Sequence, residues 1–348
     1  MSVSLVLGLG IAGGLAGPGN ADDMNFGSSE STNTALPLTS GGYGFAGGAH
    51  LLTLSESDLG RELDAAKRAK ATWIRMSLDW NSIETAKGSF NWTVPDRIIN
   101  AARARGLKVL ANPVSSPGWT RGVATFFTAP PNNNADLADF LRAFIARYGN
   151  KVTNYQIWNE PNLPIFFGLN VDAARYTSLL KAAYSAIKGA QPHATVVAAG
   201  LARSSGWNSP VNFVNTMYDN GAHGYFDALA LHPYVFPGGV TANPDNAISD
   251  VGSVRTIMVA KGDSAKPIWF TEIGAATGST PDSVSQQEQA KQITDVMSFA
   301  KSSGFVGPVL IYTIRDSGTD PNDREQNFGA IYKHDWTPKY TAGVLGAA

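Results

Sequence analysis

Short apolar runs alternate along the chain with longer stretches in which apolar residues recur every three or four positions. The runs are GYGFAG (42–47), TWIRMS (72–77), LKVLANP (107–113), VTNYQIW (152–158), TVVAAG (195–200), FDALALH (226–232), PIWFTE (267–272) and PVLIYT (308–313). Their length and their β-branched and aromatic content predict strands. Between them the period changes. In NADLADFLRAFIARYG, Leu137, Phe140, Leu141, Phe144 and Ile145 fall at i, i+3, i+4, i+7 and i+8, with Asn134 as the predicted N-cap and Gly149 as the stop. DAARYTSLLKAAYSAIKG and SVSQQEQAKQITDVMSFAKSSG follow the same rule, and RARGLKVL and KSSGFVGPVL place a glycine between helix and strand. Strand–helix alternation repeated about eight times predicts a (β/α)8 barrel, the TIM-barrel architecture. A doubly wound open sheet has the same periodicity but usually carries a Gly-rich phosphate turn after its first strand, and periodicity alone does not separate the two.

The chain has 348 residues, enough for one large domain or two ordinary ones, and 43% of them are hydrophobic. Only 16% are charged, the net charge is −1, and no long Lys/Arg run occurs. This argues against a nucleic-acid partner, which needs a basic stripe, and against attachment to an anionic membrane. The absence of cysteine removes disulfides, thiolate nucleophiles and Cys-ligated zinc. Residues 1–21 read as an export signal, an apolar run ending in small residues at Ala21, although no Lys or Arg precedes Arg61. Within it Gly8, Gly10 and Gly13 match GxGxxG, but Gly17-Pro18-Gly19 follows where a dinucleotide site needs a helix. Residues 22–40 have linker composition, and 41–348 read as a single domain. A secreted or extracytoplasmic protein is expected, with no membrane attachment in its mature form.

In a barrel, chemistry gathers at the C-terminal ends of the strands. Those ends supply Arg75, Asn112, Asn159 and Glu160, His232 and Tyr234, Glu272, and Arg315 and Asp316. Glu160 and Glu272 each follow an apolar, Trp-bearing run, on the fourth and seventh strands by this count. A carboxylate there is costly to desolvate unless its environment compensates. Two such groups facing one cavity can divide the work of glycoside hydrolysis: one donates a proton, and the other stays ionised to attack or stabilise an oxocarbenium-like carbon. Arg75 supplies a cation, Tyr234 a phenolic donor and Asn159 a donor to a sugar hydroxyl. Taken singly, each residue also has an ordinary structural reading, as loop residue, buried-ion partner or core histidine; the joint pattern carries the inference.

The pattern also resembles a known group. IWNEPN is similar to the acid/base motif, and WFTEIG to the nucleophile motif, of the retaining glycoside hydrolases of clan A, (β/α)8 enzymes. IRMSLDW, KGSFNWTVPDRIINAARARGLKVL, ALHPY and YTIRDSGTDPNDREQNFGAIYKHDWTPKY fit the same order, with closest likeness to family 39-like bacterial enzymes. The resemblance spans about 41–348. It implies Glu160 as general acid/base, Glu272 as nucleophile, Asn159 on the sugar 2-hydroxyl, Arg75 and Tyr234 holding Glu272, and His232 on the same floor. A retaining β-glycosidase of this kind holds its carboxyls ~5–5.5 Å apart. Many clan members have a Trp platform at the end of strand eight; here IYTIRD stands instead, leaving Tyr312 as substitute or Arg315 reaching the cleft. Trp80, Trp119 and Trp207 follow strands two, three and five and are candidate stacking platforms or loop anchors.

The histidines, His50, His193, His223, His232 and His334, show no HxH or HExxH spacing, so neither a metal site nor a cofactor is expected. No GxSxG occurs, and DSGTDPNDRE (316–325) lacks EF-hand spacing and reads as a solvated loop over the cleft. The expected partner is a polysaccharide or oligosaccharide substrate, of microbial or plant cell-wall type, acted on by a monomer. Two other readings remain open: a non-catalytic carbohydrate-binding barrel, and a transglycosylase using the same pair.

Overall fold

A computed structural model describes residues 36–122, 126–242 and 247–347. The predicted export signal and all of the linker before residue 36 lie outside the described residues. The strands are β1 (Tyr43–Ala46), β2 (Trp73–Asp79), β3 (Lys108–Val114), β4 (Asn154–Ile157), β5 (Thr195–Ala202), β6 (Ala228–His232), β7 (Ile268–Ile273) and β8 (Val306–Tyr312). They pair in sequence order, all parallel, and β8 closes on β1 with Phe45 opposite Ile311. The closed ring settles the choice left open by periodicity: the fold is a (β/α)8 barrel. Each of the predicted apolar runs overlaps one of these strands.

The connecting helices are α1 (His50–Thr53), α2 (Glu56–Arg68), α3 (Trp80–Ile83), α4 (Thr93–Ala104), α5 (Asn134–Tyr148), α6 (Ala173–Ala190), α7 (Pro210–Asp219), α8 (Ala247–Ala260), α9 (Gln286–Ser303) and α10 (Tyr340–Val344). Their starts are chemically marked. The side chains of Ser55, Asp172, Ser209 and Ser285 accept from the first-turn amides of α2, α6, α7 and α9. In α5 that role falls to Asn133, whose Oδ1 accepts from the Ala135 amide, one residue earlier than the predicted Asn134. Asn133 is the residue with extended backbone, and that geometry lets a side chain fold back onto the first turn. Helix α5 buries Leu137, Phe140, Leu141 and Phe144 completely, each stabilising by about 1.5–3 kcal/mol relative to exposure.

Strand alternation sorts the barrel interior into layers. Trp73 and Trp269 meet edge to face at 5.2 Å among Leu110, Val197, Ala228, Ala230 and Leu310, an apolar plug inside the ring. Two residues further along their strands, the same inward positions hold Arg75, Asn112, His232, Thr271 and Tyr312. The interior therefore changes from apolar to polar within one pleat, towards the C-terminal ends. Ile74, Met76 and Leu78 point the other way, into the layer between sheet and helices.

Candidate active site

Arg75, rising from β2, is 2% exposed and uses its whole guanidinium. Nε donates to Gln156 Oε1 at 3.0 Å, Nη1 to Glu272 Oε1 at 2.6 Å, and Nη2 to both Asn112 Oδ1 at 2.8 Å and Asn159 Oδ1 at 2.6 Å. One cation from β2 thus ties together groups from β3, β4 and β7 and from the loop after β4. A rigid planar fork can do this; a lysine ammonium lacks the geometry.

Glu160 follows β4 through a tight backbone path. Trp158 and Glu160 have φ of 68° and 46°, a left-handed region that costs bulky residues about 1–3 kcal/mol each. The path is over-determined. Asn112 Nδ2 and Gln156 Nε2 donate to the Trp158 carbonyl at 2.8 and 2.9 Å, and Trp158 Nε1 donates to the Phe166 carbonyl at 2.7 Å. The Glu160 amide donates to the Gly200 carbonyl at 3.0 Å. The abrupt change from strand to Asn-Glu-Pro in the sequence is this turn.

His232, fully buried at the end of β6, has Nδ1 2.9 Å from Glu160 Oε1 and Nε2 3.0 Å from the Thr271 hydroxyl. The same Nδ1 is 3.8 Å from Glu272 Oε2, so one ring nitrogen approaches both carboxylates. The ring has room because position 200 is glycine. A Cβ there would meet Gln156 Nε2 at 2.5 Å and His232 Nε2 at 2.9 Å, and its φ of 155° also disfavours a side chain. In β7, Thr271 points inward to His232, so strict alternation would turn Glu272 away. The register with β8 shifts between Phe270 and Ile273, and this irregularity brings Glu272 to the cleft as well.

Electrostatically the two glutamates stand in different company. Burial pushes the Glu272 carboxyl up, but the His232 ring, the Arg75 guanidinium and the Tyr234 hydroxyl together outweigh it and hold the group below the ordinary glutamate value. Tyr234 donates to Glu272 Oε2 at 3.4 Å. Burial first, and the Glu272 charge second, push its phenol well up, so it remains a donor. Glu160 has no guanidinium partner among its described hydrogen bonds; its Oε1 contact is the imidazole. Carboxylate oxygens of Glu160 and Glu272 and a nitrogen of His232 lie within 4.8 Å of one another. These are also metal-ligand types, brought together in space without the spacing that sequence motifs require. Arg75 already neutralises Glu272, however, and both ring nitrogens of His232 have partners.

Aromatic rings wall the other side. Tyr234 stacks on Phe236 at 5.3 Å, and Phe328 lies against Tyr234, Phe236 and Tyr312 at 6.1, 5.8 and 5.4 Å. Arg324 lies 4.6 Å over Phe236 and pairs with Glu325 at 3.1 Å and Asp282 at 2.8 Å. Burial raises the Glu325 carboxyl against the pull of Arg324, with smaller contributions from Glu272 and Glu160. Three carboxylates therefore sense one another here.

Several sequence expectations need correction. Arg315 does not reach the cleft: its Nε donates to Glu62 at 2.8 Å, its Nη1 to the His334 carbonyl at 2.8 Å, and it lies 4.3 Å over Trp336. Trp80 is completely buried, donating to Glu84 at 2.6 Å and packed on Phe140, so no sugar can stack on it. Trp119 is half-buried, bonded through Nε1 to the Glu84 carbonyl and flanked by Lys87 at 5.6 Å. The 316–325 stretch is only partly a solvated loop. Asp316 is buried and paired with Lys339 at 2.7 Å, while Asp320 and Asp323 accept from backbone amides of their own turn. Sequence reasoning passed over Gln156, Thr271, Phe236, Phe328 and Glu325. The first two carried a usable signal, a polar residue within an apolar strand.

The profile of the family described as glycosyl hydrolase catalytic core matches residues 125–328, more than half of the chain. The chain belongs to this family. No curated protein matches it. Among solved structures it is similar to a family 39 glycoside hydrolase from Bacteroides cellulosilyticus, with TM-score 0.68 and 24% identity over 84% of this chain and 61% of that one. It is similar too to a monomeric β-xylosidase from Caulobacter crescentus, with TM-score 0.69, 21% identity and coverage of 90% and 68%. A family 5 enzyme from Streptomyces cattleya, solved with GlcNAc, gives TM-score 0.65 and 16% identity, covering 90% of this chain and 80% of that one. At these identities the structural likeness establishes the barrel, and the Bacteroides enzyme extends well beyond the length spanned here.

Proposed function

We propose that this glycosyl hydrolase cleaves β-glycosidic bonds in an oligo- or polysaccharide with retention of configuration, through Glu272 as nucleophile and Glu160 as general acid/base. The observation that carries the reading is the unequal treatment of two neighbouring carboxylates. Glu272 is clamped by Arg75 at 2.6 Å and kept ionised, whereas Glu160 has no guanidinium among its described hydrogen bonds and meets only the His232 ring, at 2.9 Å. One oxygen of each approaches the other within 4.8 Å, which favours the ~5–5.5 Å carboxyl separation of a retaining enzyme over the ~6.5–9.5 Å of an inverting one.

In the first half-reaction a Glu272 oxygen attacks the anomeric carbon while the bond to the leaving oxygen breaks and Glu160 gives that oxygen its proton. The product is a glycosyl ester on Glu272. In the second, Glu160, now a carboxylate, takes a proton from water as the water oxygen bonds to the anomeric carbon and the ester bond breaks. Asn159, oriented by Arg75 at 2.6 Å, presents its amide nitrogen to the sugar 2-hydroxyl. Tyr312, with Phe328 behind it, stands in for the missing Trp as the apolar wall under the ring. Trapping tests the assignment. Incubation with a panel of 2-deoxy-2-fluoro-β-glycosyl fluorides should add one glycosyl mass to the intact protein, mapping to Glu272 and absent from Glu272→Gln. An adduct on another carboxylate, or turnover surviving in Glu272→Gln, overturns it.

A further inference from the structure

Trp207 is 91% exposed, more than any other large apolar side chain among the described residues. No ring–ring, cation–π or hydrogen-bonding partner of its indole is found among them. Leaving such a surface in water forgoes roughly 1.5–3 kcal/mol that burial would supply. The backbone that carries it is nevertheless firmly held. Asn212 Nδ2 donates to the Gly206 carbonyl at 2.8 Å, the Ser209 amide to the same carbonyl at 3.1 Å, and the Ser209 side chain caps α7. On the other side, Asn162 Nδ2 donates to the Asn208 carbonyl at 2.8 Å. A fixed backbone bearing an uncovered ring is a preorganised contact surface.

Its position follows from the same bonds. The segment leaves the C-terminal end of β5, on the face where the active site lies. Asn162 is buried, two residues after Glu160, and also clamps Ala202 through its carbonyl at 2.7 Å and its amide at 3.0 Å. The loop of the proton donor and the loop of Trp207 are thus fastened together by one side chain. A general acid must face the oxygen that departs, so a platform joined to its loop lies on the leaving-group side.

We propose that Trp207 forms a distal leaving-group subsite, stacking on the apolar face of a pyranose in the departing chain, and that the substrate is therefore an extended β-linked saccharide. This rests on the assignment of Glu160 as general acid. The test compares wild type with Trp207→Ala and Trp207→Phe on xylan-, glucan- and mannan-derived hexaoses and on the matching aryl β-monoglycosides. Trp207→Ala should lower kcat/KM on the cleaved hexaose by about tenfold, mainly through KM, with Trp207→Phe recovering most of it. Aryl glycoside turnover should stay unchanged, because its leaving group carries no chain of sugars to reach Trp207. Equal losses on both substrate classes, or no loss on either, overturn the subsite. So does a wild type that cleaves aryl glycosides but no hexaose, which leaves the catalytic reading standing. A wild type that cleaves nothing on the panel removes both.

Discussion

At the residue scale, the site depends on one buried cation holding one carboxylate ionised. Glu272 is depressed below its ordinary value of 4.5 despite burial, because His232 and Arg75 favour the charged form. The sign follows directly. The interactions of ionised Glu272 stabilise the fold above the ordinary glutamate range and are lost as pH falls through the depressed value. For catalysis, the acid limb of kcat/KM should lie below that range, since the proposed nucleophile loses its charge only there. Arg75→Met should move this limb upward and lower kcat/KM by roughly 10²–10³-fold, the scale of losing a preorganised electrostatic partner. A pH–rate profile reads both, and circular dichroism separates a shifted limb from a lost fold. An unmoved limb in a folded variant would mean that Arg75 does not control Glu272. The residue-level signs in the sequence were two glutamates ending apolar strands with an arginine on a third. Arg75's bonds to Gln156 and Asn112 were not legible, because the partners are 81 and 37 positions away.

At the scale of elements, position 200 shows how strand irregularity serves the site. Between Ala199 and Leu201 the β5–β6 register shifts, with φ of 57° at Ala199 and 155° at Gly200, and the missing side chain leaves room for His232 and Gln156. Gly200→Ala would force a Cβ to within 2.9 Å of the imidazole and 2.5 Å of the amide. It should cost about 1–3 kcal/mol, seen as a lower Tm, with a larger fractional loss of activity than of stability because His232 must turn away from Glu160. Unchanged Tm and rate would show that the strand absorbs the methyl by shifting. The elements themselves are plain in the sequence, since short apolar runs give way to a period of about 3.6 at each junction and glycine often marks it. The bulges are not, and they decide which side of β7 Glu272 faces. TVVAAG reads as a regular buried strand; Gly200's role becomes visible only when β4 and β6 are packed beside it. The orientation of Trp80 is hidden for a related reason. A Trp following a strand end looks available, yet α3 turns it inward onto Phe140 and Glu84.

At the scale of the whole molecule, closing a barrel leaves the segment after β8 to be secured over the catalytic face, and the chain does this with a buried ion pair as well as with buried apolar residues such as Ile314, Ala330 and Ile331. Lys339 and Asp316 are 2% and 5% exposed. Lys339 Nζ donates to Asp316 Oδ1 and Thr277 Oγ1 at 2.7 Å each, and Asp316 Oδ1 also accepts from the Gly329 amide at 2.7 Å. Burial pushes both members towards their neutral forms, raising the aspartate and lowering the lysine, while each pulls the other back. Such a pair adds little net stability over an apolar substitute, but removing one partner strands the other. The pair joins the segment carrying Phe328, Arg324 and Glu325 to the loop after β7, where Thr277 donates from its amide to the Asn327 carbonyl at 3.0 Å. Lys339→Met should therefore cost about 3–5 kcal/mol, and the double variant Lys339→Met with Asp316→Asn distinctly less. Chemical denaturation of the single and double variants measures the difference. If the segment also shapes the sugar wall, the single variant should raise KM at temperatures where the barrel remains folded, because Phe328 packs on both Tyr234 and Tyr312. An unchanged KM in a destabilised variant would confine the pair to the fold.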